Sequence, residues 1–149
     1  MLAMALTRYG GPEVLEAMDL AEPKVGPDSV LLRTRAVGVN PVDYKIREGA
    51  LDGLIPAHFP LVPGFDVAGV VERVGPAVVG IAPGDEVVAY NRQDHVEVGT
   101  YAELTSVPQR AVAQDVELRR PRLVAADEQR RAVVGDIERE RRPQREQRR

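Results

Sequence analysis

The chain carries the sequence GVNPVDYKIREG at residues 38–49, between a β-rich run and a loop that contains prolines. Pro41 stands where proline is favoured, at the first helical position, and Gly49 stands where glycine often follows a helix. Val42 and Ile46 are four residues apart and would share one helix face. The stretch therefore predicts a strand that ends near Asn40 and leads directly into a short helical turn.

On both sides of this stretch, short apolar runs alternate with glycine and proline turn signals. Inside one run, Gly69 predicts a bulge or a close approach of two backbones. Many short strands separated by turns are typical of a barrel or a sandwich, so the chain is predicted to be mainly β. The strand candidates are residues 4–7, 14–20, 29–37, 66–74, 85–90 and 100–107, and residues 50–63 are predicted to form a loop.

The charge of the chain changes near residue 110. Residues 1–109 hold 8 Lys and Arg against 15 Asp and Glu, whereas residues 110–149 hold 12 Arg against 8 acids and no aromatic residue. The second segment has too few apolar residues to offset its ordering entropy, which predicts a disordered or helical charged tail over 110–149 after a domain over 1–109. A change of reading frame would also produce so abrupt a switch in composition.

Composition excludes several classes of function. Cysteine is absent from the 149 residues, which excludes disulfides, thiolate metal sites and a cysteine nucleophile. No apolar run approaches the ~18 residues of a membrane span, and the first ten residues lack the pattern of a secretory signal, so we expect a cytoplasmic protein without membrane contact. Nucleic acid is not an expected partner, because acids nearly balance the arginines of residues 110–149 and no aromatic residue is available for stacking.

Several motifs in a fixed order resemble one family. The stretch at residues 38–49 is followed by PGFDVAGVV at 63–71, by Val74-Gly75 leading to PGDEV at 83–87, and by GTYAE at 99–103, with YGGPEVL at 9–15 before it. Together they resemble the zinc-free quinone oxidoreductase (zeta-crystallin-like) branch of the medium-chain dehydrogenase/reductase superfamily, over about residues 1–113. The resemblance implies only the N-terminal GroES-like β-barrel of an alcohol dehydrogenase-type enzyme.

The same resemblance implies a cofactor and a reaction. The family reduces quinones or conjugated enones with NADPH, which its Rossmann domain binds through a glycine-rich turn at a helix N-terminus. These 149 residues carry no G-x-G-x-x-G motif, so we expect a truncated reductase domain that is inactive alone. The alternative is a non-catalytic GroES-like module or an inactive remnant of such an enzyme. A co-chaperonin shares the barrel but lacks the reductase motifs, and the oligomeric state stays open.

Catalytic and cofactor-binding candidates lie at the start of the helical turn. The resemblance implies that Asn40 donates a hydrogen bond to the reacting oxygen or orients the nicotinamide, although asparagine is also a favoured N-cap. Asp43 matches an acid near the cleft, or is a first-turn acid that the helix dipole favours. Tyr44 offers a hydroxyl to the substrate, or packs at the domain edge. Pro41 and Lys45 are candidates for cofactor contact, and Lys45 is equally a solvated surface residue.

The substrate-pocket candidates are Phe65, Asp66, His58 and Phe59, with a core position as the alternative for Phe65. Zinc-dependent relatives have a cysteine at the position of Asn40 and a His-Glu pair at Phe65-Asp66. An amide and a phenyl ring cannot replace those ligands, and His58 alone makes no site, so no metal is expected. The cysteine lobe that holds a structural zinc in such relatives is also absent.

Position 42 narrows the reaction class. Zinc-dependent alcohol dehydrogenases carry a Ser or Thr hydroxyl there as a proton relay, whereas this chain has Val42. The loss of that hydroxyl favours reduction of a carbonyl or an enone over oxidation of an alcohol, with the proton supplied by water or Tyr44.

Overall fold

The computed structural model describes residues 1–92 and 94–114, which belong to one compact unit, Met1–Asp115. Single 3-10 turns occur at Pro12–Val14 and Gln109–Ala111. The remaining elements of the described residues are β1 (Leu2–Ala5), β2 (Glu16–Asp19), β3 (Ser29–Val37), α1 (Pro41–Arg47), β4 (Ala57–Val62), β5 (Asp66–Val74), β6 (Glu86–Tyr90), β7 (Val96–Val98), β8 (Leu104–Pro108) and β9 (Val112–Gln114). The mainly β fold with a short helix after β3 is confirmed.

The strands form one large sheet and two small ones. The large sheet has five antiparallel strands in the order β8-β3-β5-β6-β9, while β1 pairs with β2, and β4 pairs in parallel with β7. In the large sheet β3 is hydrogen-bonded to both β5 and β8. The end of β3 therefore lies beside the start of β5, with Val37 opposite Val67.

Burial differs along β3 and determines which end of the strand is accessible. Val30, Leu31 and Leu32 in the first half of β3 are fully buried, whereas Ala36 and Val37 at its end are exposed. Helix α1 follows directly and is fixed by Ile46, which packs in a second cluster with Leu6, Phe65 and other apolar side chains. Burial thus fixes the positions of β3 and α1, while residues 38–40 between them stay accessible.

Two predictions about residues 50–63 and 110–114 are wrong. Residues 57–62, predicted as a loop, form β4, whose sequence AHFPLV contains a proline that ordinarily argues against a strand. Residues 112–114, assigned to the tail, form β9 and pair with β6, with Val87 opposite Gln114. The rest of the predicted tail, from residue 115 on, lies outside the described residues.

Strand boundaries shift by a few residues elsewhere. The first strand is Leu2–Ala5 and not 4–7, and the last predicted strand begins at Leu104 and not at residue 100. Within the described part of the chain, no helix is long and apolar enough to cross a membrane.

Candidate active site

Asn40 is the N-cap of α1 and joins the end of β3 to the helix. Its backbone is extended, with φ −120° and ψ 157°, and its carbonyl accepts the backbone N–H of Asp43 at 3.0 Å. The Asp43 carboxylate accepts the backbone N–H of Asn40 at 2.7 Å in return. Asp43 therefore supplies the side-chain bond that the third helical residue makes in a capping box. Asn40 occupies the N-cap position, and its catalytic role stays a prediction.

The Asn40 side chain reaches across to the large sheet. Its Nδ2 donates to Asp66 Oδ2 at 2.7 Å, at the first residue of β5. Because a carboxylate can only accept, this bond fixes the amide with its NH₂ group toward Asp66. The second amide N–H of the half-buried Asn40 is left for another partner.

Asp43 is held between the helix and the segment before β8. Its side chain is 4% exposed, and its Oδ2 accepts the Tyr101 hydroxyl at 3.0 Å as well as the Asn40 backbone N–H. Its other oxygen is buried without a hydrogen bond. Asp43 therefore fixes both the start of the helix and the Tyr101 side chain. Tyr101 was not among the predicted site residues, although it belongs to the motif GTYAE at residues 99–103.

The pKa of the Tyr101 phenol is raised well above its usual value near 10. Burial is the largest cause, followed by the hydrogen bond to Asp43 and the negative charges of Asp43 and Asp66. All of these disfavour a phenolate at this position. The Tyr101 hydroxyl is therefore a persistent hydrogen-bond donor and not a base.

Tyr101 should make the folded chain sensitive to alkali. Burial, and after it the bond to Asp43, raises the pKa of this phenol in the folded chain above its unfolded value. The neutral Tyr101 therefore contributes stability below about pH 10, and this contribution is lost as the pH rises through the folded pKa. We expect Tyr101→Phe to lose less stability between neutral pH and pH 11 than the wild type does. The ultraviolet absorbance difference between the two proteins should titrate well above pH 10. A difference curve centred at or below pH 10 would contradict the assignment.

The other helix candidates point outward. Tyr44 is 45% exposed, and Pro41 and Lys45 are exposed as well. These three residues are accessible to a second domain or a cofactor, and the surface interpretation of Lys45 fits equally. The structure thus brings together Asn40, Asp43 and Asp66, and it leaves Tyr44 and Lys45 at the rim of the helix.

The other three substrate-pocket candidates, Phe65, Phe59 and His58, make contacts with aromatic or histidine rings. Phe65 is 3% exposed, and its ring contacts that of Tyr90 edge-on with 5.9 Å between the centroids. Phe65 is therefore a core residue, as the alternative interpretation predicted. Phe59 contacts Tyr9 edge-on at 5.0 Å. His58 does not stand alone: its ring stacks on that of His95 at 4.8 Å, a neighbour that the sequence did not indicate.

An apolar cavity of about 560 Å³ opens beside Asp66. Small side chains of β3, β5 and β9, with Tyr90 from β6, form most of its wall. Such a wall suits a flat apolar ring better than a charged or strongly hydrated molecule. Asp66, which holds the Asn40 amide, therefore lies in the wall of an otherwise apolar cavity.

NADPH fits this region only in part. A neutral nicotinamide ring with its carboxamide matches the apolar wall of the cavity and the Asn40–Asp66 polar pair beside it. The pyrophosphate does not match the start of α1, because Pro41 has no N–H and the Asp43 carboxylate already occupies the Asn40 N–H. For zinc, Asn40 and Asp66 offer an amide and one carboxylate, and zinc-free chemistry stays a prediction.

Comparison with known proteins agrees with this geometry. Residues 26–117 match the alcohol dehydrogenase GroES-like domain. A spinach protein named chloroplastic quinone-oxidoreductase homolog is 40% identical over 104 residues, covering 69% of this chain and 31% of the relative. The chloroplastic NADPH-dependent alkenal/one oxidoreductase of Arabidopsis thaliana is 38% identical over 118 residues, covering 76% of this chain and 30% of that protein.

A solved structure gives the same result. The quinone oxidoreductase of Pseudomonas syringae superposes with a TM-score of 0.69 at 32% identity, covering 80% of this chain and 34% of that one. The chain spans about a third of the length of the curated relatives it matches. The predicted GroES-like fold is thereby confirmed, while the cytoplasmic location stays a prediction. On this evidence the chain belongs to the alcohol dehydrogenase GroES-like domain family, within the medium-chain dehydrogenase/reductase superfamily and with quinone oxidoreductases among its relatives.

Proposed function

We propose that this domain forms the substrate side of an NADPH-dependent oxidoreductase that reduces quinones or conjugated enones. The observation that carries the proposal is the 2.7 Å bond between Asn40 and Asp66 next to an apolar cavity. The names of the spinach and Arabidopsis relatives support the substrate class and the cofactor.

Asn40 stabilises the oxygen of the bound carbonyl compound. Its second amide N–H donates to this oxygen, where negative charge develops during reduction. Asp66 holds the amide by its other N–H, and Asp43 fixes the Asn40 backbone. The donor is therefore positioned before the substrate arrives, and no rotation of the amide is needed during the reaction.

NADPH supplies a hydride when it is bound. On this chain, Pro41 contacts the nicotinamide end beside Asn40, and the exposed Lys45 contacts a phosphate or ribose as a point charge. The exposed Tyr44 hydroxyl, or water, delivers the proton. Without zinc, this donor set suits substrates that accept hydride readily, as quinones and enones do.

The alternative is a GroES-like module without catalysis. The observation that favours it is the lack of a G-x-G-x-x-G motif in the 149 residues. A nicotinamide held by this domain alone would lack contacts for its adenine and pyrophosphate. We therefore expect these 149 residues alone to show neither tight NADPH binding nor NADPH oxidation.

A chimera separates the two functions. Residues 1–114 are joined to the nucleotide-binding domain of the Pseudomonas syringae quinone oxidoreductase, and NADPH oxidation is followed with a quinone, a conjugated enone and a saturated ketone. We expect turnover of the first two only. Asn40→Ser, which keeps a good N-cap but removes the amide, should lower kcat/KM by about 100-fold. A folded chimera that binds NADPH but turns over neither substrate would establish the non-catalytic module.

A further inference from the structure

Three ligand-type side chains meet on the small sheet of β4 and β7. His58 lies on β4, Glu97 lies on β7, and His95 directly precedes β7. Glu97 Oε2 is 3.7 Å from His58 Nδ1 and 3.8 Å from His95 Nε2. One donor atom from each residue lies within 4.8 Å of the other two.

The two histidines of this cluster are the only histidines among the 149 residues. They are 37 positions apart in sequence, yet their rings stack at 4.8 Å with an interplanar angle of 27°. Packing does not explain the arrangement, because the His58 and His95 side chains are 60% and 46% exposed. Glu97 faces both rings, and imidazole with carboxylate is a ligand combination that proteins use to bind zinc.

The geometry is close to that of a metal site. Nitrogen and oxygen ligands about 2.1 Å from a tetrahedral zinc ion lie about 3.4 Å from one another. The two His–Glu separations exceed this value by only a few tenths of an ångström, and all three donor atoms lie within 4.8 Å of one another. Because the rings are stacked, their nitrogens face nearly the same direction, and one imidazole must turn out of the stack to share an ion with the other. The half-exposed side chains leave room for this rotation.

We infer that His58, His95 and Glu97 bind a divalent transition ion of the zinc type, with water at the fourth position. Two imidazoles and one carboxylate suit zinc and its neighbours, whereas calcium and magnesium require oxygen ligands. The ion would tie β4 to the segment around β7, which pair only at Ala57 with Val96 and Val62 with Val98. The cluster shares no residue with Asn40, Asp43, Asp66 or Tyr101, so the inference is independent of the proposed reductase function.

Isothermal titration with zinc chloride tests the site. The full chain is purified without a histidine tag and titrated at pH 7.5, because zinc binds neutral imidazole and competes with protons at lower pH. We expect one ion per chain, and at least about tenfold weaker affinity in His58→Ala and in His95→Ala. Glu97→Gln should also weaken binding, and Glu16→Gln, at an exposed position on β2, serves as the matched control and should not.

Two further measurements make the result decisive. Zinc should raise the melting temperature of the wild type and of Glu16→Gln but not of the histidine variants. In proton NMR, the two imidazole signals should shift together up to one equivalent of zinc. Unchanged affinity in both histidine variants would overturn the inference, as would the absence of heat, of a thermal shift and of NMR change at 1 mM zinc.

Discussion

Asp43→Ala is expected to lower the free energy of unfolding by about 3 kcal/mol, one of the two largest effects anticipated for this chain. The substitution removes the acceptor of the Tyr101 hydroxyl and of the Asn40 backbone N–H, which lie 3.0 and 2.7 Å from Asp43 Oδ2. Both donors would then lack their partner in a partly buried environment. Chemical denaturation of the purified variant, followed by circular dichroism, measures the change.

The size of this effect depends on two opposing contributions. The carboxylate itself is costly to bury, since it is 4% exposed and its Oδ1 has no hydrogen bond. Removing one partner of a buried charged network is nevertheless destabilising, because the groups left behind stay buried. Tyr101→Phe, which removes a single bond, should lose only about 1 kcal/mol. The exposed Asp94→Ala is the matched control, and a loss in Asp43→Ala no larger than in this control would contradict the network.

Local signals made the helix predictable. Pro41 and Gly49 were sufficient to place a helical turn after β3, and the structure has α1 at Pro41–Arg47. Gly49 adopts a φ of +79°, a conformation that favours glycine, and ends the helical segment as glycine commonly does. Such signals act within a few residues, so a single sequence contains them in full.

Pairing between distant segments was not predictable in the same way. Strand β4 contains Pro60, and its parallel partner β7 has three residues, so neither shows the alternation expected of a strand. Strand β9 lies in a segment whose composition resembles a charged tail, and only its pairing with β6 makes it a strand. The register of these pairs is a property of the folded chain and has no local sequence pattern.

The candidate site also combines a residue with a local sequence signal and contacts that only the folded chain creates. Asn40 was identified at the helix start, where both its capping and its catalytic interpretations arise from local sequence. Its contact with Asp66, 26 positions away, and the contact of Asp43 with Tyr101, 58 positions away, depend on how β3, β5 and β8 align. His58 likewise has no neighbouring ligand in the local sequence, because His95 and Glu97 follow much later in the chain. The residue types of the site were therefore predictable from the sequence, whereas the contacts between them depend on how the strands pair.

Gly69→Ala is expected to destabilise the domain by about 3 kcal/mol or more, or to prevent soluble expression. The close backbone approach predicted at Gly69 is present: a Cβ added there would lie 2.5 Å from the Arg33 carbonyl oxygen, where β3 and β5 pair. The pairing register shifts at this point, between Thr34 and Ala36, so the two strands are already adjusted to each other. A backbone atom cannot rotate away as a side chain can, and the strands at the middle of the sheet would have to separate.

Gly53→Ala provides the contrast that isolates this clash. No atom lies within 4 Å of a Cβ at Gly53 and its φ is not positive, so alanine should be neutral there or stabilise by up to about 1 kcal/mol through the unfolded chain. Both variants lose the same glycine entropy, and only Gly69→Ala meets a backbone oxygen. Urea denaturation should therefore give a clearly lower free energy of unfolding for Gly69→Ala than for Gly53→Ala. Free energies of unfolding within about 0.5 kcal/mol of each other would mean that β3 and β5 do not pair closely at this position in solution.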